Sequence, residues 1–134
     1  MVRRLAGCII TNVHGRVLLI HRNTPRLSQW ELPGGKVEEN ESAAQAATRE
    51  ALEEVNLVVE GLEEVGATEF GDNGYDWHYT WFRPSRVTGD LKLMEKTFDD
   101  IRFINILSGE VEDKVLSPNV VAIIKALKNK QFHL

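Results

Sequence analysis

The stretch Pro33–Leu57, PGGKVEENESAAQAATREALEEVNL, decides how this chain is read. It opens on Gly34-Gly35, a pair that lets the backbone turn tightly and approach another group closely. Ser42 and Gln45 stand at the spacing of a capping box, which marks a helix start. Ala44, Ala47, Ala51, Leu52 and Val55 then recur at helical spacing and form one apolar stripe. Because the stripe is mostly alanine, the predicted helix can lie close to a sheet. Glu50 and Glu54 fall one turn apart on another face, with Glu53 beside them. Like charges at this spacing cost roughly 0.2–0.5 kcal/mol per pair, and a divalent cation would neutralise them. Hard carboxylate oxygens suit Mg²⁺ or Mn²⁺, which take one or two carboxylates together with waters and substrate phosphates. A free carbonyl at Gly35 would offer one further oxygen.

The rest of the chain bounds what such a site can do. At 134 residues the sequence is expected to form a single domain, 1–134, large enough to bury a core. The net charge is −4 and no Lys/Arg stripe stands out, so the electrostatic footprint of a nucleic-acid polymer is missing. A small anionic ligand remains compatible, given a metal or a few placed cations. The single cysteine, Cys8, cannot form an internal disulfide; it fits a reducing cytoplasm and is expected to be an inert buried thiol. MVRRLAGC resembles a leader with a cleavage box, but a leader needs an apolar run of roughly 7–15 residues between charge and cleavage site. Arg4 abuts Leu5, so the segment is read as a first strand. No later run approaches the roughly 18 apolar residues of a membrane span.

Outward from the helix, RRLAGCIITNVHGRVLLIHR gives two apolar runs around Asn12–Gly15, a hairpin signal. Asn23–Gly35 reads as a loop punctuated by Pro25, Pro33 and the Gly pair. LVVEGLEEVGATEF reads as strand with a break near Gly61, and Gly71–Gly74 as a turn. YDWHYTWFRP alternates aromatic and polar residues, as a strand does. IRFINI reads as a short strand, and Ser117-Pro118 opens a last helix whose buried side is Val120, Ile123, Ile124 and Leu127. Strands and two helices in mixed order predict an α/β (α+β) layered domain.

The helix and its preceding loop resemble the signature of the Nudix hydrolases: Gly, five residues, Glu, seven residues, then Arg-Glu-hydrophobic-x-Glu-Glu-x-Gly-hydrophobic. Here the pattern runs Gly35, Glu41, Arg49, Glu50, Ala51, Glu53, Glu54, Asn56, Leu57. Ala51 is smaller than the usual aliphatic residue. Asn56 replaces a Gly, and Asn is the next-best residue for a left-handed helix end.

The resemblance implies a Nudix fold, a mixed β-sheet sandwiched between helices. It also implies hydrolysis of a nucleoside diphosphate linked to another group, with divalent metals on the pyrophosphate. Glu53 and Glu54 would be metal ligands, and Glu50 a ligand or the general base. Arg49 and Glu41 would pair to hold loop to helix. Glu95, Asp99 and Asp100 are candidates for a later acidic ligand or base, Glu95 first among them. Length and layout look like the MutT type, which cleaves nucleoside triphosphates to monophosphate and pyrophosphate. Arg22 and Asn119 match that subgroup's nucleotide contacts, since an amide can both donate to and accept from a base edge; a local backbone role at the helix start is the alternative for Asn119. Trp77, Tyr79 and Trp81 share one strand face; core packing accounts for them, and stacking of a base by one of them at the sheet edge is the alternative. His78, opposite them, is read as structural. An ADP-ribose or dinucleoside polyphosphate hydrolase, and a non-catalytic nucleotide sensor, are the competing functional readings. The intact charged signature argues against the sensor.

Overall fold

Val17 to Ile20 are buried without interruption, so this segment must have protein on both faces. The computed structural model describes residues 2–72 and 74–134 and shows what covers each side. Its elements run β1 (Val2–Cys8), β2 (Val17–Asn23), β3 (Ser28–Glu31), β4 (Gly34–Lys36), α1 (Ala43–Val55), β5 (Val58–Glu60), β6 (Glu63–Asp72), β7 (Tyr75–Arg83), β8 (Arg86–Thr88), β9 (Phe98–Ile104) and α2 (Pro118–Lys128). Three sheets result, ordered β4-β1-β7-β6, β3-β2-β9 and β5-β8. The first is mixed, because β1 runs parallel to β7 and antiparallel to β4.

Side chains alternate across a strand, and here the alternation sorts the core into two halves. Val17 and Leu19 of β2, with Ile9, pack against Val120, Ile123 and Leu127 of α2. Leu18 and Ile20, with Ala6, Cys8 and Ile10, pack against Ala46, Ala47, Ala51 and Val55 of α1. The sheets therefore lie between the two helices, as expected. No helix among the described residues is long and apolar enough to cross a membrane.

Local signals held where the physics is local. Ser42 caps α1 in a complete capping box with Gln45, and Asn56 closes the helix at φ 62° in the left-handed region. Ser117 caps α2, with Pro118 in its first turn. On α1 the buried stripe includes Ala46, whereas Leu52 is half exposed.

Several expectations are corrected by pairing over distance. The Asn12–Gly15 turn forms, closed by the Gly15 amide on the Asn12 carbonyl at 3.0 Å, but β1 and β2 then join different sheets. The segment read as a loop, Asn23–Gly35, contains β3 and the start of β4, each held by an earlier strand. Asp99 and Asp100 lie inside β9 rather than before it, and β8, which had no sequence signal, pairs with β5. The turn expected at Gly71–Gly74 falls partly on residue 73, outside the described residues.

Candidate active site

Strand β4 is the edge of the mixed sheet, and α1 crosses behind it. Gly35 pairs with Ala6 and lies directly under Glu50; a β-carbon there would stand 2.6 Å from Glu50 Oε1. Next to it, the Gly34 amide donates to Glu54 Oε1 at 2.7 Å. The Gly pair thus permits a close approach of strand to carboxylates, which side chains would block.

Glu50, Glu53 and Glu95 each bring a carboxylate oxygen within 4.8 Å of the others. The first two come from one turn of α1, the third from the segment after β8. Glu54 is the most buried of these acids, 4% exposed, and faces Gly34 rather than joining that trio. Burial, then the neighbouring charge of Glu50, pushes its carboxyl up to about 9, against the opposing Gly34 amide. Burial also raises Glu50, opposed by its bond to Arg49 and reinforced by Glu53 and Glu95. Carboxylates that repel one another in a partly desolvated place are what a bound cation stabilises.

Arg49 organises this edge. Its guanidinium donates to Glu41 at 2.8 and 3.0 Å, to Glu50 at 2.9 Å, to Glu53 at 3.1 Å and to the Lys36 carbonyl at 2.9 Å. Glu41 in turn accepts from the Glu38 amide at 3.0 Å. One planar fork therefore joins the loop, β4 and α1.

Gly34 and Gly35 also form part of the wall of a cavity of about 470 Å³. Leu5, Phe70 and Tyr79 give it an apolar side, while Arg22, Gln29, Glu31 and Asn119 bring polar groups. Arg22 is held by a bidentate pair with Glu31 at 2.6 and 3.1 Å and lies over the Phe98 ring at 4.8 Å. Asn119 is buried at the start of α2, and its Oδ1 accepts from the Ser117 hydroxyl.

The structure leaves two acidic candidates out. Asp99 binds His21 at 2.6 Å and Asn23 at 2.8 Å, and Asp100 pairs with Arg102 at 2.8 Å. His78 meets Glu69 at 3.2 Å on the opposite face of β7. Sequence reasoning missed Gln29 and Glu31, whose only signal is their place one strand-repeat apart beside Trp30. It also missed Phe70 as a cavity wall, while Tyr79, expected in the core, is buried and lines the cavity.

Comparison with known proteins agrees with this layout. The NUDIX domain family matches residues 1–119. An RNA pyrophosphohydrolase of Dinoroseobacter shibae is 35% identical over 66 residues, 49% of this chain and 41% of that protein. The aligned part spans half or less of the curated relatives matched. The crystal structure of a MutT NUDIX hydrolase from Burkholderia pseudomallei superposes with a TM-score of 0.80, covering 93% of this chain and 97% of that one at 24% identity. The solution structure of the E. coli ORF135 protein gives 0.79, covering 96% and 89% at 24% identity. At such identity these structures establish the fold alone. With the family match spanning most of the chain and the signature residues gathered at one sheet edge, the chain belongs to the Nudix family.

Proposed function

We propose that this protein is a Mg²⁺-dependent pyrophosphohydrolase that cleaves a nucleoside triphosphate, ribo or deoxy, to its monophosphate and pyrophosphate in the cytoplasm. The observation that carries the reading is the meeting of Glu50, Glu53 and Glu95 within 4.8 Å beside a cavity whose wall includes Gly34 and Gly35. The donor set fits the metal: hard oxygens that repel one another, with Arg49 paired to Glu50 and Glu53. Glu53 and Glu95 would hold it, with Glu54 behind them and a Gly35 carbonyl as a further oxygen. When bound, such a cation neutralises charge that develops on phosphate oxygens as the anhydride breaks.

The chain's own groups divide the remaining work. Arg49 and Glu41 position Glu50 and Glu53. Glu50 either completes the ligand set or takes the proton of the attacking water as the new P–O bond forms. The bridging anhydride oxygen leaves with the electrons of the broken P–O bond. Arg22 and Asn119 contact the nucleoside, the amide reading the base edge. The relative named RNA pyrophosphohydrolase agrees at the level of the bond, an anhydride on a nucleotide.

The test is product release from a panel of nucleotides, with Mg²⁺ and again with EDTA. The panel holds the common and 8-oxo nucleoside triphosphates, ADP-ribose and a diadenosine polyphosphate. Mg²⁺-dependent pyrophosphate release from a triphosphate is expected. Binding with no release from any member would overturn the reading in favour of a nucleotide sensor.

A further inference from the structure

We infer that Asn56 is a positioning residue for the metal site: its side-chain amide ties the end of α1 to the segment 89–94, and that tie delivers Glu95 to Glu50 and Glu53. The inference rests on the reading of Glu95 as a metal ligand.

Glu95 has no helix or strand of its own to hold it. The chain leaves β8 at Thr88 and enters β9 at Phe98, and residues 90–94 between them belong to neither helix nor strand. Within 89–95 only Leu93 is half-buried, packed against the core half that holds α1. An exposed segment with so little apolar contact keeps its place through hydrogen bonds. Three of them run to the end of α1. The Lys92 amide donates to the Val55 carbonyl at 3.1 Å, and the Met94 amide to the Glu54 carbonyl at 3.0 Å. Carbonyls of a last helical turn have no partner within their own helix. The third bond is made by the Asn56 side-chain amide, which donates to the Asp90 carbonyl at 2.8 Å across 34 positions of sequence. Gly89 opens the segment at φ 105° and passes so near that a β-carbon on it would stand 2.8 Å from the Asn56 carbonyl oxygen.

The helix end by itself does not account for this amide. Asn56 closes α1 at φ 62°, a conformation that Gly adopts at no steric cost. Gly would therefore serve the cap at least as well, but it has no side chain to reach Asp90. At the signature position that calls for Gly, Asn adds a donor aimed at the segment that carries the fourth acid. The link is short. Asn56 fixes Asp90, the alternate amides of Lys92 and Met94 follow on Val55 and Glu54, and Glu95 comes next. Its carboxylate then lies within 4.8 Å of those of Glu50 and Glu53. Glu54 joins the arrangement twice, since its side chain accepts from Gly34 and its carbonyl from Met94.

Asn56→Gly removes the tie and keeps the cap. Mn²⁺ binding in the absence of nucleotide, followed by the EPR signal of the free ion, reads the effect without turnover. Asn56→Gly is expected to weaken Mn²⁺ binding by about 10-fold, the lower end of the loss when a group that orients a metal ligand is removed. In a Glu95→Gln background the same change should have no further effect, because the ligand it positions is already gone. Hydrogen exchange in EDTA should quicken at the Lys92 and Met94 amides and stay unchanged along α1. Gly89→Ala, which pushes the segment off the Asn56 carbonyl, should reproduce the weakening. Unchanged Mn²⁺ affinity in Asn56→Gly, or an equal loss with and without Glu95, would overturn the inference. If Glu95→Gln alone left Mn²⁺ binding as it was, the ligand assignment would fall with it. Failure to hydrolyse any nucleotide would defeat the proposed activity separately.

Discussion

The Gly34 amide donates a 2.7 Å hydrogen bond to Glu54 Oε1, and this contact sews strand β4 to helix α1 at the candidate site. A buried acid raised to about 9 holds its proton at neutral pH in the metal-free protein. Glu54→Gln keeps an acceptor for Gly34 and is expected to unfold at the wild-type temperature in EDTA, while turnover falls by orders of magnitude. Glu54→Ala strands the amide and should cost about 1–3 kcal/mol. The sign with pH also follows. Between the ordinary 4.5 and about 9 the folded state keeps a proton that the unfolded state has released, so metal-free stability should fall as pH rises through that window. Denaturant titrations across pH should show this slope in wild type and less of it in Glu54→Gln.

Gly35→Ala would place a β-carbon 2.6 Å from Glu50 Oε1. The carboxylate must move, and a displacement near 1 Å can cost about 100-fold in rate. Steady-state kinetics should show that loss in kcat, with far less change in thermal stability.

The Arg49 fork is expected to tolerate no lysine, because a point charge cannot bridge Glu41, Glu50, Glu53 and the Lys36 carbonyl at once. Arg49, followed by the Glu38 amide, holds the Glu41 carboxyl down at about 2. The stability this pair contributes is present above the ordinary 4.5 and lost as pH falls towards 2. Arg49→Lys should therefore raise the Glu41 pKa measured by NMR, start acid unfolding at higher pH, and lower kcat.

Asn119→Ala is expected to change which base is preferred more than it changes the rate on a poor substrate. The Ser117 hydroxyl already binds Oδ1, which orients the amide at the cavity wall. An unchanged substrate profile across the panel would remove Asn119 from the site.

Cys8 is fully buried, its Sγ lies 3.8 Å from the Ala47 carbonyl, and burial pushes its thiol up to about 12. Alkylation of the native protein should be slow at neutral pH and complete in denaturant, as followed by mass spectrometry.

What the sequence determined by itself was the helix and the acidic edge it carries. The capping box, the alanine stripe, the left-handed Asn56 and the ring of Glu50, Glu53 and Glu54 are all set by residues within about four positions of one another, the range over which a helix makes its own contacts. The tertiary structure decided which of the remaining candidates meet. Gly34-Gly35-Lys36 has little strand preference and becomes a strand because β1 lies beside it. Glu95, rather than Asp99 or Asp100, meets the helix acids because the β9 aspartates are taken by His21, Asn23 and Arg102. Gln29, Glu31, Phe70, Tyr79 and Asn119 become one cavity only when two sheets and the start of α2 converge. Such pairings join residues tens of positions apart, and no local spacing encodes them.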